Sequence, residues 1–529
     1  MPSDCLSYQN SGWFSALITD YLNQKSELQS LYNRFPSIEN FRQQIEEKST
    51  NFNPENRKVL HRVLTEQYRG LEVSSSTQIH IDALQQNNTF TVTTGHQLNL
   101  FTGPLYFLYK IISTINLCKE LRAKYPDYHF VPVYWMATED HDFDEICFFN
   151  FESIKFKWNK EAAGPVGRLN TDGLKDIYEA FSTHLGVGKN AEQIKKWFDE
   201  AYLQHQNLAE ATRYLANQLF GNDGLVIIDG DDSELKKMFA PHVQRELTER
   251  KSKLWAEESF PLLSDYNIQV NPREINLFYI EDNLRERIVF EDNQYKVLNT
   301  SLAFSEKEIV DLLHKNPEKF SPNVILRPLY QEVILPNLCY IGGGGELAYW
   351  LELKAIFNNH NITFPMLLLR NSVLLATEKQ ANKADKLGLS WQDLFLKSEK
   401  LINTKTNELS KNTFDFAQQK QFLQQQFDAL KLIAQQTDKS FIGAVEAQEK
   451  KQIKGLQNLE KRLLKAEKRV HREQLDRIIE LQTALFPNGS LQERQVNFAE
   501  FYKIAGNDLL DKLFENLHPL EQNFTIITL

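Results

Sequence analysis

Phe90-Thr-Val-Thr-Thr-Gly-His-Gln-Leu-Asn-Leu-Phe-Thr-Gly-Pro104 opens the part of the chain that decides the fold, and Phe130-Val-Pro-Val-Tyr-Trp-Met136 closes it. Phe90 to Thr94 is a short β-prone run ending at Gly95. Pro104 has the fixed φ that suits a first helical turn, so a helix is expected from there to about Arg122. Residues 130–136 are apolar enough for a strand covered on both faces. A strand, a helix and a second buried strand make a βαβ unit and predict a parallel sheet. Leu225-Val-Ile-Ile-Asp229 and Pro365-Met-Leu-Leu-Leu369 read as further buried strands of the same sheet.

Working outward, residues 11–85 are helical by spacing, with Trp13, Leu17, Tyr21 and Leu22 on one face. Residues 170–220 are helical and polar, while Asn276 to Leu298 alternates like a β-meander with a turn near Asp282-Asn283. Both are read as insertions, near 155–220 and 255–335. From Ala376 the chain becomes rich in Gln and Lys. A helix through Val445 to Leu485 places Leu456, Leu459, Leu463, Ala466 and Val470 at alternating spacings of 3 and 4, a coiled-coil seam. Phe414 to Ile433, before Thr437-Asp438-Lys439, is long enough to fold back on it. Pro487-Asn488-Gly489 stops the helix, and Thr525 to Leu529 is expected as an edge strand. The predicted fold class is therefore α/β: a Rossmann-type core over 1–375 with an N-terminal helical layer, a helical coiled coil over 376–487, and a segment, 488–529, returning to the core. The uncovered seam predicts a homodimer through the coiled coil.

At 529 residues with 42% hydrophobic composition, there is material for more than one structural unit. The start, Met1 to Trp13, lacks a basic segment followed by an apolar one, and no later stretch approaches eighteen uninterrupted apolar residues. The four cysteines are scattered without metal-site spacing and fit a reducing cytoplasm. A net charge of -10 argues against nucleic acid as the leading partner. A cytoplasmic protein without nucleic-acid or membrane partners is expected.

Three segments carry candidate chemistry. Thr94-Gly95-His96-Gln97 and Gly103, ahead of a helix start, suit a phosphate or carboxylate, with His96 adding a hydrogen bond or a proton. The alternative is that both glycines serve turns and His96 is a satisfied loop histidine. Glu139, Asp140, His141 and Asp142 follow a strand's carboxyl end, where ligands bind in open α/β sheets. They can hold an ammonium or Mg²⁺, or tune a general base, unless they form only a solvated acidic loop. Gly342-Gly-Gly-Gly-Glu-Leu-Ala-Tyr-Trp350 brings Gly343 and Gly344 to a helix start and puts Glu346 and Tyr349 on one face; a flexible turn is the competing reading. Arg370 and Asn371 occupy another strand end, where Arg370 can fork two hydrogen bonds to an anion, or form a structural ion pair.

Taken together, Thr94 to Gln97 with Leu100-Phe-Thr-Gly-Pro-Leu-Tyr106, Trp135-Met-Ala-Thr-Glu-Asp-His-Asp142 and the glycine-rich segment resemble the bacillithiol-biosynthesis cysteine-adding enzymes, the BshC family of cysteine ligases. The resemblance covers essentially the whole chain. It implies a core similar to class I aminoacyl-tRNA synthetases, with Gly95-His96-Gln97 resembling a variant of their His-Ile-Gly-His element; a Lys-Met-Ser-Lys-Ser segment is absent. It further implies an amide-forming addition of cysteine to glucosaminyl-malate, with ATP as co-substrate and Mg²⁺ as its companion. By their positions, His96, Asp140 and Asp142 are expected to be catalytic, Thr94, Gly95, His96, Gln97, Gly103, Gly343 and Gly344 to bind phosphate, and Glu139, His141, Glu346, Tyr349, Arg370 and Asn371 to bind substrate. Two other readings stay open: a different nucleotide-dependent transferase, and a metabolite-binding scaffold whose coiled coil is the function.

Overall fold

A computed structural model gives the structure of the protein and describes residues 4–410, 416–437 and 439–529. Five strands form the central sheet: β1 (Thr89–His96), β2 (His129–Met136), β3 (Val226–Asp229), β4 (Asn337–Gly342) and β5 (Met366–Leu369). Their order is β5-β4-β1-β2-β3, and every neighbouring pair is parallel. The crossover from β1 to β2 is helix α1 (Tyr106–Lys124). Phe90 and Val92 of β1, Leu117 and Leu121 of α1, Phe130 of β2, Ile341 of β4 and Leu368 of β5 share one buried core with Phe41 and Ile45 from the N-terminal helical layer. Such cover on both sides explains why β2, β3 and β5 are nearly continuous apolar runs.

Parallel register carries the site-bearing ends to one edge. Thr94 lies opposite Tyr134 and Ile341, and the pairing with β2 continues to His96 opposite Met136. β1 therefore runs beyond the expected stop at Gly95, because β2 supplies partners that far. Strand β4 was not foreseen: its run, Asn337-Leu-Cys-Tyr-Ile-Gly342, mixes polar and apolar residues. The polar residue is satisfied inside, with Asn337 Oδ1 accepting from the hydroxyls of Thr91 (3.2 Å) and Thr93 (2.9 Å). Helix α1 starts at Tyr106 rather than Pro104, after a tight turn in which Phe101, Thr102 and Gly103 all have positive φ.

The stretch between β2 and β3 holds a small hairpin (Phe148–Phe151 with Ile154–Lys157) and three helices between Leu174 and Phe220. After β3 comes helix α2 (Ser233–Glu249), then an antiparallel five-stranded sheet whose hairpin Leu277–Glu281 with Leu284–Glu291 turns at residues 282–283, as expected. Helix α3 (Gly344–Trp350) follows β4. The chain's end, Asn523–Thr528, is the middle strand of a three-stranded sheet with Asp4–Ser7 and Ser372–Ala376 on its sides, not an edge strand. Two hydrogen-bonding sides are filled because the N-terminal strand also pairs there.

Residues 376–489 make up nearly all of a second compact unit. Helices α4 (Ala417–Gln435), α5 (Lys439–Val470) and α6 (Arg472–Leu485) belong to it, so the expected continuous helix is interrupted at His471. Phe427 and Ala434 of α4 bury against Val445 of α5, with Leu423 and Ile442 packed beside them. That is an intrachain helical pair. Leu430 and Ile433 of α4 are 44% and 57% exposed, and the seam residue Leu459 of α5 is 53% exposed. Phe414 and Asp438 lie outside the described residues. No described helix is long and apolar enough to cross a membrane.

Candidate active site

At the carboxyl edge of the sheet lies a cavity of about 1100 Å³, at the upper end of what ligand sites usually enclose. Gly95, His96, Gln97 and Gly103 line it from the end of β1 and the turn that follows, and Glu139 to Asp142 from beyond β2. Gly343, Gly344, Glu346 and Tyr349 line it from α3, and Arg370 from the end of β5. The three candidate segments thus converge. Thr94 and Asn371 do not line the cavity. The Thr94 hydroxyl donates to Ile341 O (2.8 Å), and Asn371 is tied to Ser113 Oγ and His518 O, so both hold the scaffold.

The inner wall is cationic. Lys110, 3% exposed on α1, donates to Gly95 O (2.7 Å) and pairs with Glu346 at 2.6 Å. Burial pushes the Lys110 ammonium below its ordinary range. Burial acts on the Glu346 carboxyl in the opposite sense, but Lys110 and the donors Gly343 N and Tyr340 Oη hold it below the usual carboxylate value. Arg370 donates backwards to Glu493 (2.7 Å), which leaves its buried Nε without a protein partner; Arg327 Nη2 is equally unpartnered. Unmade hydrogen bonds of buried groups are costly, so these donors are poised for a ligand anion.

His96 is 6% exposed, packed against the rings of Tyr106 and Phe107. It is a strand-end residue rather than an exposed loop histidine. Burial drives its pKa well below 6.5, helped by the charges of Lys110 and Arg370, so it is neutral and cannot supply the proton expected of it. The Thr102 backbone bond favours the protonated ring, as a carbonyl acceptor does, and Nε2 has no protein partner. Nε2 is therefore the ring atom open to a ligand. Gly103 serves the turn: at φ +63° a Cβ would meet Asn99 Cβ at 2.6 Å.

The outer wall is acidic. Asp140 accepts from Gln97 Nε2 (3.0 Å) and from His141 N (2.8 Å). Burial alone would raise its carboxyl, but these bonds and the Arg285 charge hold it well below the usual carboxylate range. Glu139 is spent on Lys236 (2.8 Å), which also pairs with Asp231 (2.9 Å). Asp140, His141 and Asp142 bring one ligand atom each within 4.8 Å of one another. His141 Nδ1 is already engaged by Arg285 Nη1 at 2.7 Å, which leaves its Nε2 and the carboxylate oxygens of Asp140 and Asp142 as the donors open to a cation.

Comparison with known proteins bears on a site of this composition. Residues 1–371 match the family model described as "Bacillithiol biosynthesis BshC, N-terminal Rossmann-like domain", and residues 373–529 match its C-terminal coiled-coil domain. The chain belongs to the BshC family. It is 62% identical to a Flavobacterium johnsoniae protein over 529 residues, the full length of both. It is 38% identical to a Cytophaga hutchinsonii protein, covering 98% of this chain and 97% of that one, and 29% identical to a Bacillus mycoides protein, covering 97% and 98%. All three bear the name "Putative cysteine ligase BshC".

Several residues of this BshC cavity went unnoticed in the sequence. Lys110 left a signal, a lone charge inside the apolar run Tyr106 to Cys118. Arg285 and Arg287 sit in an alternating strand whose charges look like an ordinary solvated face, and Arg494 arrives from the far end of the chain. Arg273, Arg287 and Arg494 line the cavity and have no carboxylate partner within ion-pair distance among the described residues.

Proposed function

We propose that this BshC protein is a carbon–nitrogen ligase that joins the carboxyl carbon of cysteine to the amine of glucosaminyl-malate, with ATP as co-substrate. The observation that carries the reading is the division of one cavity into a cationic inner wall and rim, with donors left open on Arg327 and Arg370, facing the ionised Asp140. Each proposed reactant has anionic groups, and cysteine adds an ammonium that Asp140 would hold. Family membership and the relatives' name support the same reading.

A carboxylate and an amine do not condense in water, and bound ATP would supply the activation as a phosphoryl or adenylyl group on the cysteine carboxyl. The chain's own part is to orient and to handle protons. Lys110, Arg327 and Arg370 would stabilise negative charge that develops on the departing phosphate oxygen. The amine nitrogen forms the new bond to the acyl carbon while the carbon–oxygen bond to phosphate breaks; Nε2 of the neutral His96 would accept a hydrogen bond from the amine and orient it, and the amine's proton leaves with the departing phosphate oxygen. A Mg²⁺ brought by ATP would take an oxygen donor from Asp142, in keeping with its preference for oxygen ligands, and leave Asp140 to the ammonium. Incubation with ATP, cysteine and glucosaminyl-malate should give the cysteinyl amide with matching nucleotide consumption. Nucleotide consumption without amide would move the protein to another transferase chemistry; neither product would sink both.

We also propose a homodimer through α5. Leu459 and Val470 stand 53% and 73% exposed on that helix, and a second copy is the simplest cover for a repeating apolar stripe. Sedimentation at micromolar concentration should show a dimer for wild type and a monomer for Leu459→Glu/Leu463→Glu. A wild-type monomer, or a double variant that stays dimeric, would remove the coiled coil from the interface.

A further inference from the structure

Residues 267–273 have no regular structure, yet Asn271 and Arg273 line the cavity. The strap that carries them is fastened at both ends by buried carboxylates. On the amino-terminal side Glu352, 0% exposed just after α3, accepts from Gln269 N at 2.7 Å and from Val270 N at 3.3 Å. On the carboxyl-terminal side Glu246 of α2 accepts from Asn276 N (2.8 Å) and Asn276 Nδ2 (3.0 Å). Asn276 in turn brackets Arg273, accepting from its N–H at 3.0 Å and donating to its carbonyl at 2.8 Å. Glu352 has no cation within ion-pair distance among the described residues. Its one visible task is to hold two consecutive strap amides.

We propose that Glu352 is a positioning residue: by seating the strap it presents Asn271 and Arg273 to the cavity and sets how tightly an anionic substrate group is held there. That the group belongs to a substrate rests on the ligase reading; the seating itself does not. Asn271 and Arg273 are the only residues between the two fastenings that reach the cavity, and Arg273 has no carboxylate of its own to bind. A dicarboxylate such as the malate moiety fits that unpaired guanidinium.

The seating is pH-dependent with a definite sign. Burial pushes the Glu352 carboxyl from its ordinary 4.5 up to about 7, against the smaller downward pull of the two amide bonds. The charged groups nearby are turned elsewhere: Lys354 faces Glu47 and Arg34, Lys253 pairs with Glu257, and Tyr266 of the strap's approach bonds Asp20. Ser259 reaches only the Glu352 main-chain oxygen. Glu246 is also raised by burial, but it holds Asn276 and Ser252, not the amides of Gln269 and Val270. A seated Glu352 keeps a proton that a hydrated, unseated one releases between about pH 4.5 and 7. Seating is therefore strongest on the acid side and weakens as pH rises to about 7, beyond which it levels off.

Hydrogen exchange of the Gln269 and Val270 amides, corrected for intrinsic rates, reads the seating directly in the full-length protein. Wild type should lose protection by about tenfold or more between pH 5.5 and 7.5. Glu352→Gln, which keeps one acceptor and cannot ionise, should show protection independent of pH, while Glu352→Ala should lose it throughout. In turnover with ATP and cysteine, Glu352→Ala should raise KM for glucosaminyl-malate about tenfold with little change in kcat, and Glu352→Gln should restore KM. The same pH course in Glu352→Gln as in wild type overturns the seating role. Loss of protection in Glu352→Ala with KM unchanged overturns the positioning role. If wild type makes no amide, the ligase reading fails by itself, and the exchange measurement still decides the strap.

Discussion

Asp140→Asn is expected to lower kcat/KM for cysteine by about 100- to 1000-fold while the thermal midpoint moves little, a loss of transition-state stabilisation of ~3–4 kcal/mol. The size follows from removing a full charge opposite an ammonium in a partly closed site, where charge-assisted bonds are about twice as strong as neutral ones. Stability is spared because asparagine keeps the shape and one acceptor for Gln97 Nε2, and because Asp140 is only partly buried, with a side-chain exposure of 26%. The pH course separates this role from others. The Asp140 carboxyl is held below the usual carboxylate range, so its stabilising contribution is present above that range and is lost only as pH falls through its own lower value. An acid limb of activity near neutrality, if measured, therefore belongs to another group. Steady-state kinetics from pH 5.5 to 8 checks both points, and a variant within threefold of wild type would free Asp140 of the ammonium. His96→Ala should not be so clean: the ring fills space between Tyr106 and Phe107, so activity and stability fall together.

The sheet was legible because three of its strands are short apolar runs bounded by glycine, proline or acidic residues, the pattern of strands buried on both faces, and a fourth, Phe90 to Thr94, is a β-branched run ending at glycine. Strand β4 escaped for a physical reason. Its Asn337 is buried, and the threonines that satisfy it lie on β1, 244 and 246 residues away. A sequence window cannot see a polar residue cancelled by so distant a neighbour. The site followed the same rule. Segments at strand ends were found, because register alone carries them to one edge, whereas the cations of the rim were not. Arg285 and Arg287 come from a meander, and Arg494 from a segment that reads as an ordinary helix end. Two of the glycines also answer a structural demand: Gly103 needs its positive φ for the turn, and Gly344 faces Ile18, where a Cβ would approach Cγ1 at 3.3 Å. The coiled coil was legible in its helices but not in its facing, since spacing gives a stripe and does not say which part of it the preceding helix covers.

Glu493→Gln is expected to destabilise the protein by about 3–5 kcal/mol, the usual result of breaking one side of a buried ion pair. Glu493 is 1% exposed and Arg370 4%. The carboxylate accepts from Arg370 Nη2 (2.7 Å), Ser372 Oγ (3.3 Å) and Val373 N (3.1 Å), so it ties the returning C-terminal segment to the end of β5. The amide would leave the guanidinium buried without a counter-ion and would turn an N–H₂ toward at least one donor. Glu493 sits next to Arg494 and Gln495, which line the cavity, and a little before Asn497, whose side chain donates to Phe101 O (2.7 Å) and Gly103 O (2.6 Å) of the left-handed turn. Loosening this anchor therefore reaches the cavity from behind. Replacing both partners, Arg370→Met/Glu493→Met, tells stability from function, because a buried pair can often be exchanged for apolar residues at little cost. Chemical denaturation of the double variant should recover most of the lost stability. Its turnover should not recover, since Arg370 Nε is the donor left open to the ligand. Full activity in the double variant would make the pair purely structural and would leave Lys110 and Arg327 as the inner wall's only working cations.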